Sequence, residues 1–115
     1  MKSFCLDTGH THQAAQVGVE QVEDFIRIMG SRIEYLHMHD SSGFFDDHSL
    51  PGIDTIHWKE VFAALKEIGY KGYYNYELGY GDMGYLGEEY IRAVGPYLRK
   101  FTEVEGDVFN KERFE

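Results

Sequence analysis

Apolar residues recur at helical spacing in three segments of the chain, Val19–Met29, Trp58–Ile68 and Leu86–Phe101. Each segment places a stripe of apolar side chains on one face, which is the pattern of an amphipathic helix that packs against a core. The stripes consist of Val19, Val22, Ile26 and Met29; of Trp58, Val61, Phe62, Leu65 and Ile68; and of Leu86, Tyr90, Val94 and Phe101. The pattern therefore predicts three helices.

Glycine and proline residues predict where these helices end. Gly30 and Gly69 directly follow the first two apolar stripes, at the position where helices commonly finish with a glycine. Gly95–Pro96 lies inside the third segment, and proline lacks the N–H that continues a helix. We therefore expect the third helix to break or restart there.

Short runs that suit β-strands precede each predicted helix: Lys2–Asp7, Arg32–His39 and Gly72–Leu78. Strands that alternate with amphipathic helices form a parallel sheet, because parallel neighbours need a crossover connection and a helix usually supplies it. The predicted fold class is therefore α/β, with three strand-helix units.

Side-chain alternation along these strands separates an apolar face from a polar one. The apolar face carries Phe4, Leu6, Leu36, Met38, Tyr74 and Tyr76, whereas the other face carries Ser3, Cys5, Asp7, Tyr35, His37, His39, Tyr73, Asn75 and Glu77. Each strand ends in an ionisable residue of the polar face, namely Asp7, His39 or Glu77. In parallel sheets functional groups collect at the carboxyl ends of the strands, so we expect these three residues to converge.

Length, charge and cysteine content limit the size of the domain and the classes of partner and metal site that are possible. The chain has 115 residues, enough for one small domain, which we assign to residues 1–102 with a polar tail over 103–115. Its net charge is −9 and its 11 basic residues are scattered, which argues against a nucleic-acid partner. Cys5 is the single cysteine, so an internal disulfide and a thiolate-rich zinc site are excluded. No segment resembles a signal peptide or a membrane span, and a cytoplasmic location is expected.

Several of the polar residues also have ordinary structural interpretations. Asp7 stands in "DTG", which is common turn chemistry, and Glu77 can be a solvated carboxylate. His37 is expected to pack in the core or to support a neighbouring ligand. The residues alone leave these alternatives open.

Four stretches together resemble the C-terminal part of the xylose isomerase-like TIM barrels: "CLDTGHTH", "LHMHDSSGFFDDHSLPG", "IHWKEVFAALKEIGYKGYYNYEL" and "IRAVGPYLRKF". This family includes sugar phosphate isomerases, ketose 3-epimerases and, more distantly, the type IV apurinic endonucleases. A complete barrel of this type has about 250 residues and eight strand-helix units. The resemblance therefore implies a partial TIM barrel with the units that correspond to strands six to eight.

The resemblance also implies a metal site. Asp7, His39 and Glu77 match three of the family's four metal ligands, while the first ligand, a glutamate, has no counterpart in this chain. Mixed carboxylate and imidazole ligands suit Mn²⁺, Mg²⁺, Co²⁺ or Zn²⁺. Glu77 would also transfer the proton during catalysis. His10 matches a histidine that contacts the substrate, and we assign it a catalytic role as well.

The loop after the second strand bears on the substrate. Asp46 and His48 resemble an Asp-x-His pair of the apurinic endonucleases, and we predict that both bind the substrate or supply additional ligands; the alternative is that they belong to a solvated loop. Phe45 stands where certain epimerases have an arginine, so the sugar is not specified.

The predicted function is that of a divalent-metal-dependent sugar or sugar-phosphate isomerase or epimerase. The alternative is a catalytically silent barrel fragment that binds metal or ligand, or serves as an assembly module. An apurinic endonuclease is disfavoured by the negative charge. Because three strands leave the inner face of the sheet open, we also expect a homo-oligomer.

Overall fold

The structure is a computed structural model that describes residues 4–16, 18, 20–45, 48–78 and 87–106. It divides into two compact units, Met1–Leu78 and Gly79–Glu115, which are described separately. The first unit contains strands β1 (Phe4–Asp7) and β2 (Ile33–His37), helices α1 (Thr8–Ala15), α2 (Val22–Met29) and α3 (Trp58–Glu67), and the 3₁₀ turn Gly30–Arg32. The second unit contains helix α4 (Glu88–Gly106).

The two strands are parallel, as the alternation of strands and helices predicts. Their register pairs Cys5 with Tyr35, Leu6 with Leu36, and Asp7 with His37. Asp7 is the last residue of β1 and His37 the last residue of β2. The register therefore places these two side chains next to each other at the carboxyl edge of the sheet.

The predicted third strand, Gly72–Leu78, contributes only an isolated parallel bridge between Met38 and Tyr76. Met38 donates a backbone hydrogen bond of 2.7 Å to Asn75, and Glu77 donates one of 2.9 Å to Met38. The ladder is short because β2 ends at His37, and Asp40 already pairs with Ser49 in the following loop. Exposure still alternates along this segment, as the sequence pattern predicts.

The apolar stripes of the first two predicted helices form the core of the first unit. Helix α2 packs against α3, and the side chains at most 2% exposed on these helices, on the strands and at the bridge residue Met38 include Leu6, Val22, Ile26, Leu36, Met38, Val61 and Leu65. Burial of each such side chain contributes about 1.5–3 kcal/mol to stability. The apolar face predicted for the strands is therefore confirmed at Leu6, Leu36 and Met38.

The predicted helix ends are close to those observed. Helix α2 begins at Val22 rather than Val19, because Gln21 and Asp24 form a capping box before it. Gly30 and Gly69 follow α2 and α3 with φ of 57° and 71°, a conformation that favours glycine.

Helix α1 is not predicted by the hydrophobic pattern. Its sequence, TGHTHQAA, has no apolar stripe. Its start is fixed instead by Asp7, whose side chain accepts a hydrogen bond of 2.9 Å from the backbone N–H of His10. "DTGH" is therefore a helix-capping sequence and not a simple turn.

The predicted break at Gly95–Pro96 is wrong, because α4 runs through Pro96 to Gly106. Gly95 has no Cβ to clash with the proline ring, so the usual restriction on the residue before proline is relaxed. Thr102 Oγ1 and Arg99 add side-chain contacts to Leu98 and Glu103 within the last turns. Residues 103–106 of the expected tail are thus helical, and 107–115 lie outside the described residues.

None of the helices in the described ranges is both long and apolar enough to cross a membrane.

Gly9, in the first turn of α1, lies directly against the imidazole of His39. A Cβ at this position would overlap the ring atoms Cε1 and Nδ1 of His39. His39 is fully buried, and its backbone is fixed by Thr8, whose hydroxyl donates to its carbonyl at 2.8 Å and accepts from its N–H at 3.0 Å. The ring therefore has little freedom to move away.

We expect Gly9→Ala to lower the free energy of unfolding by about 1–3 kcal/mol, the usual cost of overpacking. Helix propensity alone predicts that the substitution raises the free energy of unfolding, since alanine is favoured over glycine by about 1 kcal/mol. Urea unfolding of the variant measures whether the free energy of unfolding falls or rises. In a His39→Ala background the same substitution should not lower the free energy of unfolding, because the overlapping ring is gone. A stabilised Gly9→Ala variant, or an equal loss in both backgrounds, contradicts the proposed contact.

Candidate metal centre

Asp7, His37 and Glu77 converge at the carboxyl edge of the sheet. One ligand atom from each lies within 4.8 Å of the others, and His37 Nδ1 is 3.1 Å from Glu77 Oε2. Asp7 and His37 are brought together by the register of β1 and β2, and Glu77 by its backbone hydrogen bond to Met38. Among the residues that the structure describes, this is the group with metal-ligand spacing.

The predicted ligand His39 occupies a different position from His37. Its side chain is fully buried, and its Nε2 lies 2.7 Å from Asp7 Oδ1. His37 is about half exposed and so is not the core residue that the sequence suggests. His39 thus contacts the carboxylate of Asp7, whereas His37 lies within ligand spacing of both Asp7 and Glu77. Spacing alone does not separate them, because residues two apart share a face of a strand.

The Asp7 carboxylate is strongly held in its ionised form. Its partial burial acts to raise its pKa, but hydrogen bonds from His39 and from the His10 backbone, with the charges of both imidazoles, outweigh it. Together they lower the pKa of Asp7 from 3.8 to about 2. Asp7 is therefore an anion at neutral pH, as a carboxylate metal ligand must be.

His10 and His48 flank the same two carboxylates. His10 Nδ1 lies 3.2 Å from Asp7 Oδ2. The His48 ring stacks on His39 with centroids 3.9 Å apart, and its Nδ1 lies 3.7 Å from Glu77 Oε1. Both predicted site histidines are therefore adjacent to the group, whereas Asp46 lies outside the described residues.

His48 has a φ of 48°, in the left-handed region that non-glycine residues seldom adopt. Such conformations cost about 1–3 kcal/mol and persist only where the surrounding structure holds them. The strained residue coincides with the histidine cluster, which favours a functional role for this loop.

The donors fit a divalent cation. Two carboxylates and an imidazole supply oxygen and nitrogen ligands of the kind that Mn²⁺, Mg²⁺, Co²⁺ and Zn²⁺ accept. His37 and Glu77 are each 48% exposed, so substrate or water can complete the coordination from solvent. The arrangement is that of an open site and not of a closed structural one.

Two residues outside the predicted set support the site. Gly9 leaves room for the His39 ring, and Asp40 anchors the loop that carries His48. The motif "DTGH" contains the glycine, but only the fold shows what faces it.

Known proteins place these observations in a family. A family model described as xylose isomerase-like TIM barrel matches residues 3–101. An uncharacterised protein of Methanocaldococcus jannaschii is 41% identical over 66 residues, which cover 57% of this chain and 22% of that protein. The fructoselysine 3-epimerases of Escherichia coli O157:H7 and Shigella flexneri are each 32% identical over 65 residues, covering 56% of this chain and 24% of theirs.

The matched segment thus spans about a quarter of the length of these curated relatives. No solved structure matches the chain at a comparable level of significance. The family match, in contrast, covers the two parallel strands, the helices between them and all three members of the acidic and histidine group. The chain belongs to the xylose isomerase-like TIM barrel family.

Proposed function

We propose that this chain carries part of the active site of a divalent-metal-dependent sugar or sugar-phosphate isomerase or epimerase. The observation that supports this most directly is the grouping of Asp7, His37 and Glu77 at the carboxyl edge of a parallel sheet. This edge is where TIM barrels place their chemistry. The similarity to fructoselysine 3-epimerases favours proton transfer at a sugar carbon.

The chemistry requires an acidified C–H bond. A divalent ion, when bound, polarises a carbonyl and the neighbouring hydroxyl and so makes the proton on the adjacent carbon acidic. Asp7, ionised and hydrogen-bonded to His39, would be one ligand of this ion, and the nearby His37 would be another.

Glu77 is suited to the proton transfer itself. Its side chain is half exposed and contacts His37 at 3.1 Å. Its carboxylate takes the proton as the C–H electron pair moves into an enediolate, and then returns it to form a new C–H bond. Return by Glu77 at the neighbouring carbon gives isomerisation, whereas epimerisation requires a second proton donor on the opposite face of the enediolate, a role that no glutamate identified in this chain fills. His10, exposed beside Asp7, is placed to donate a hydrogen bond to a substrate oxygen.

The second candidate is a silent barrel fragment that binds metal or ligand without turnover, or acts as an assembly module. The feature that favours it is that the family's remaining glutamate has no counterpart among the residues of this chain. Metal binding and proton exchange separate these two functions.

We expect Mn²⁺ or Co²⁺ to raise the melting temperature, and EDTA to reverse the effect, because a ligand that binds only the folded state stabilises it. At a metal concentration of about 100 times the Kd the gain is about 2.7 kcal/mol. Glu77→Gln should abolish the shift. Differential scanning calorimetry with and without metal measures it.

Two histidine variants distinguish the candidate ligands in the same assay. His37→Gln should remove the metal-dependent shift, whereas His39→Gln should lower stability but retain the shift. His57→Gln, an exposed histidine beside Glu23, controls for the loss of a histidine. Loss of the shift in His39→Gln alone would assign the ligand to His39. No response to any divalent ion would favour an assembly module without metal.

The reaction class is tested by solvent exchange. With Mn²⁺ in deuterated water, we expect ketoses or ketose phosphates to acquire deuterium next to the carbonyl, detected by mass spectrometry, and Glu77→Gln to abolish it. The transferred proton mixes with solvent on the base, which is why label enters. Metal binding without any exchange would select the silent fragment.

We further propose self-association through the open face of the sheet. Tyr35 and Tyr73 are 60% and 82% exposed, and among the described residues β1 pairs with β2 alone. Exposed aromatic surface and unpaired strand edges favour association, most simply as a two-fold dimer.

Light scattering at micromolar concentration should give about twice the chain mass of 13.3 kDa, the outcome for a two-fold dimer. Tyr35→Lys should shift the species towards monomer, while Ile28→Lys, at a residue 65% exposed on α2, should not. A monomer mass with a cooperative melt would refute the association.

A further inference from the structure

Asp40 is a fully buried carboxylate that gathers the loop after β2 around itself. Its two oxygens accept hydrogen bonds from five neutral N–H groups: the backbones of Ser41 (2.9 Å), Gly52 (2.8 Å), Asp54 (3.2 Å) and Ile56 (3.2 Å), and the Trp58 indole (2.9 Å). Hydrogen bonds to an ionised acceptor are roughly twice as strong as those between neutral groups. The carboxylate therefore ties both ends of this loop to the end of β2.

The backbone of Asp40 fixes the middle of the same loop. Asp40 N–H donates to the Ser49 carbonyl at 2.8 Å, and Ser49 N–H donates to the Asp40 carbonyl at 3.1 Å. Ser49 directly follows His48, the residue with the left-handed backbone. The Asp40 side chain thus binds the loop both before His48, at Ser41, and after it, at Gly52. The Asp40 backbone binds Ser49, directly after His48.

His48 in turn connects the loop to the candidate metal centre. Its ring stacks on His39, and its Nδ1 lies 3.2 Å from the Glu77 carbonyl oxygen and 3.7 Å from Glu77 Oε1. A displacement of the loop therefore moves a group that contacts the proposed base.

His12 holds the loop from the side of α1. It is buried, and its Nε2 lies 2.7 Å from Thr55 Oγ1, which itself reaches the Ser41 carbonyl at 3.2 Å. Burial lowers the pKa of His12 although Asp40, Glu23 and Asp54 act to raise it. A neutral His12 thus supports the loop at a point separate from the Asp40 carboxylate.

We propose that Asp40 is a positioning residue of the active site, which holds the loop described over residues 41–45 and 48–57 so that His48 lies against His39 and Glu77. The inference rests on the proposed function where it concerns metal binding. Asp40 itself is placed to touch neither substrate nor metal, and it acts through His48.

The test is Asp40→Asn in the full 115-residue chain. Asparagine keeps the shape but replaces one acceptor oxygen with an NH₂ that faces N–H donors. Trp58 is the single tryptophan, so its indole N–H resonance reports directly on the lost hydrogen bond. We expect that resonance and the His48 ring resonances to shift in ¹⁵N-resolved NMR spectra, with those of α2 unchanged.

Co²⁺ titration adds the functional readout. Loss of an outer partner of a metal site typically weakens metal binding about 10–100-fold, and we expect Asp40→Asn to fall in this range. If Asp40 acts through His48, then Asp40→Asn should add little to the loss already caused by His48→Gln. An equal fold-loss in the wild-type and His48→Gln backgrounds overturns the inference, because it assigns Asp40 a general role in folding.

Failure of the proposed function has a different signature. If the wild-type chain binds no Co²⁺, the metal site fails, and the positioning of His48 is judged by NMR alone. Unshifted His48 ring resonances in Asp40→Asn then overturn it. If Asp40→Asn does not fold, Trp58→Phe removes the indole donor, together with part of the buried ring, and leaves the carboxylate in place. The His48 ring resonances should then shift in the same direction by less. If the His48 ring resonances do not shift in Trp58→Phe, the inference is contradicted.

Discussion

The Asp7 carboxylate makes the contacts on which the rest of this site depends. It accepts the backbone N–H that starts α1, bonds to the buried His39 at 2.7 Å and lies 3.2 Å from His10. Burial of a carboxylate is costly unless it is hydrogen-bonded, and these partners more than offset that cost, since the pKa of Asp7 is lowered to about 2. The group that begins a helix is therefore also the anion of the candidate metal centre.

This double use of Asp7 constrains its surroundings. Helix α1 must begin where β1 ends, which brings Gly9 against the His39 ring and leaves no room for a side chain there. His39 must be buried for its Nε2 to reach Asp7, and His48 then stacks on its open face. The loop that supplies His48 adopts a strained backbone, which the fully buried carboxylate of Asp40 holds with its hydrogen bonds. Two aspartates, Asp7 partly buried and Asp40 fully buried, thus organise a site whose proposed reacting groups, His37 and Glu77, remain half exposed.

Such a division suits the proton transfer that we propose for this chain. The groups that need fixed positions are buried and hydrogen-bonded, whereas those that meet substrate face the open side of the sheet. The exposure of Tyr35 and Tyr73 shows that the described residues of the first unit leave this side open at both positions. The proposed activity therefore depends on what else covers that face, through a further part of the barrel or through association.

The sequence by itself determined α2 and α3, whose apolar stripes repeat at 3.6 residues and end at glycines, and the parallel pairing of β1 and β2. It also predicted that Asp7 and Glu77 converge, because the ends of parallel strands meet at one edge of the sheet. Tertiary structure decided the rest. Helix α1 depends on a cap and not on an apolar pattern, and α4 tolerates Pro96 because Gly95 removes the clash. His37 and His39 share a face at period two, so only the end of β2 at His37 and the burial of His39 beneath α1 separate them. Asp40 looks like an ordinary polar loop residue in sequence, since its hydrogen-bond donors lie up to 18 positions away and meet only in the folded chain.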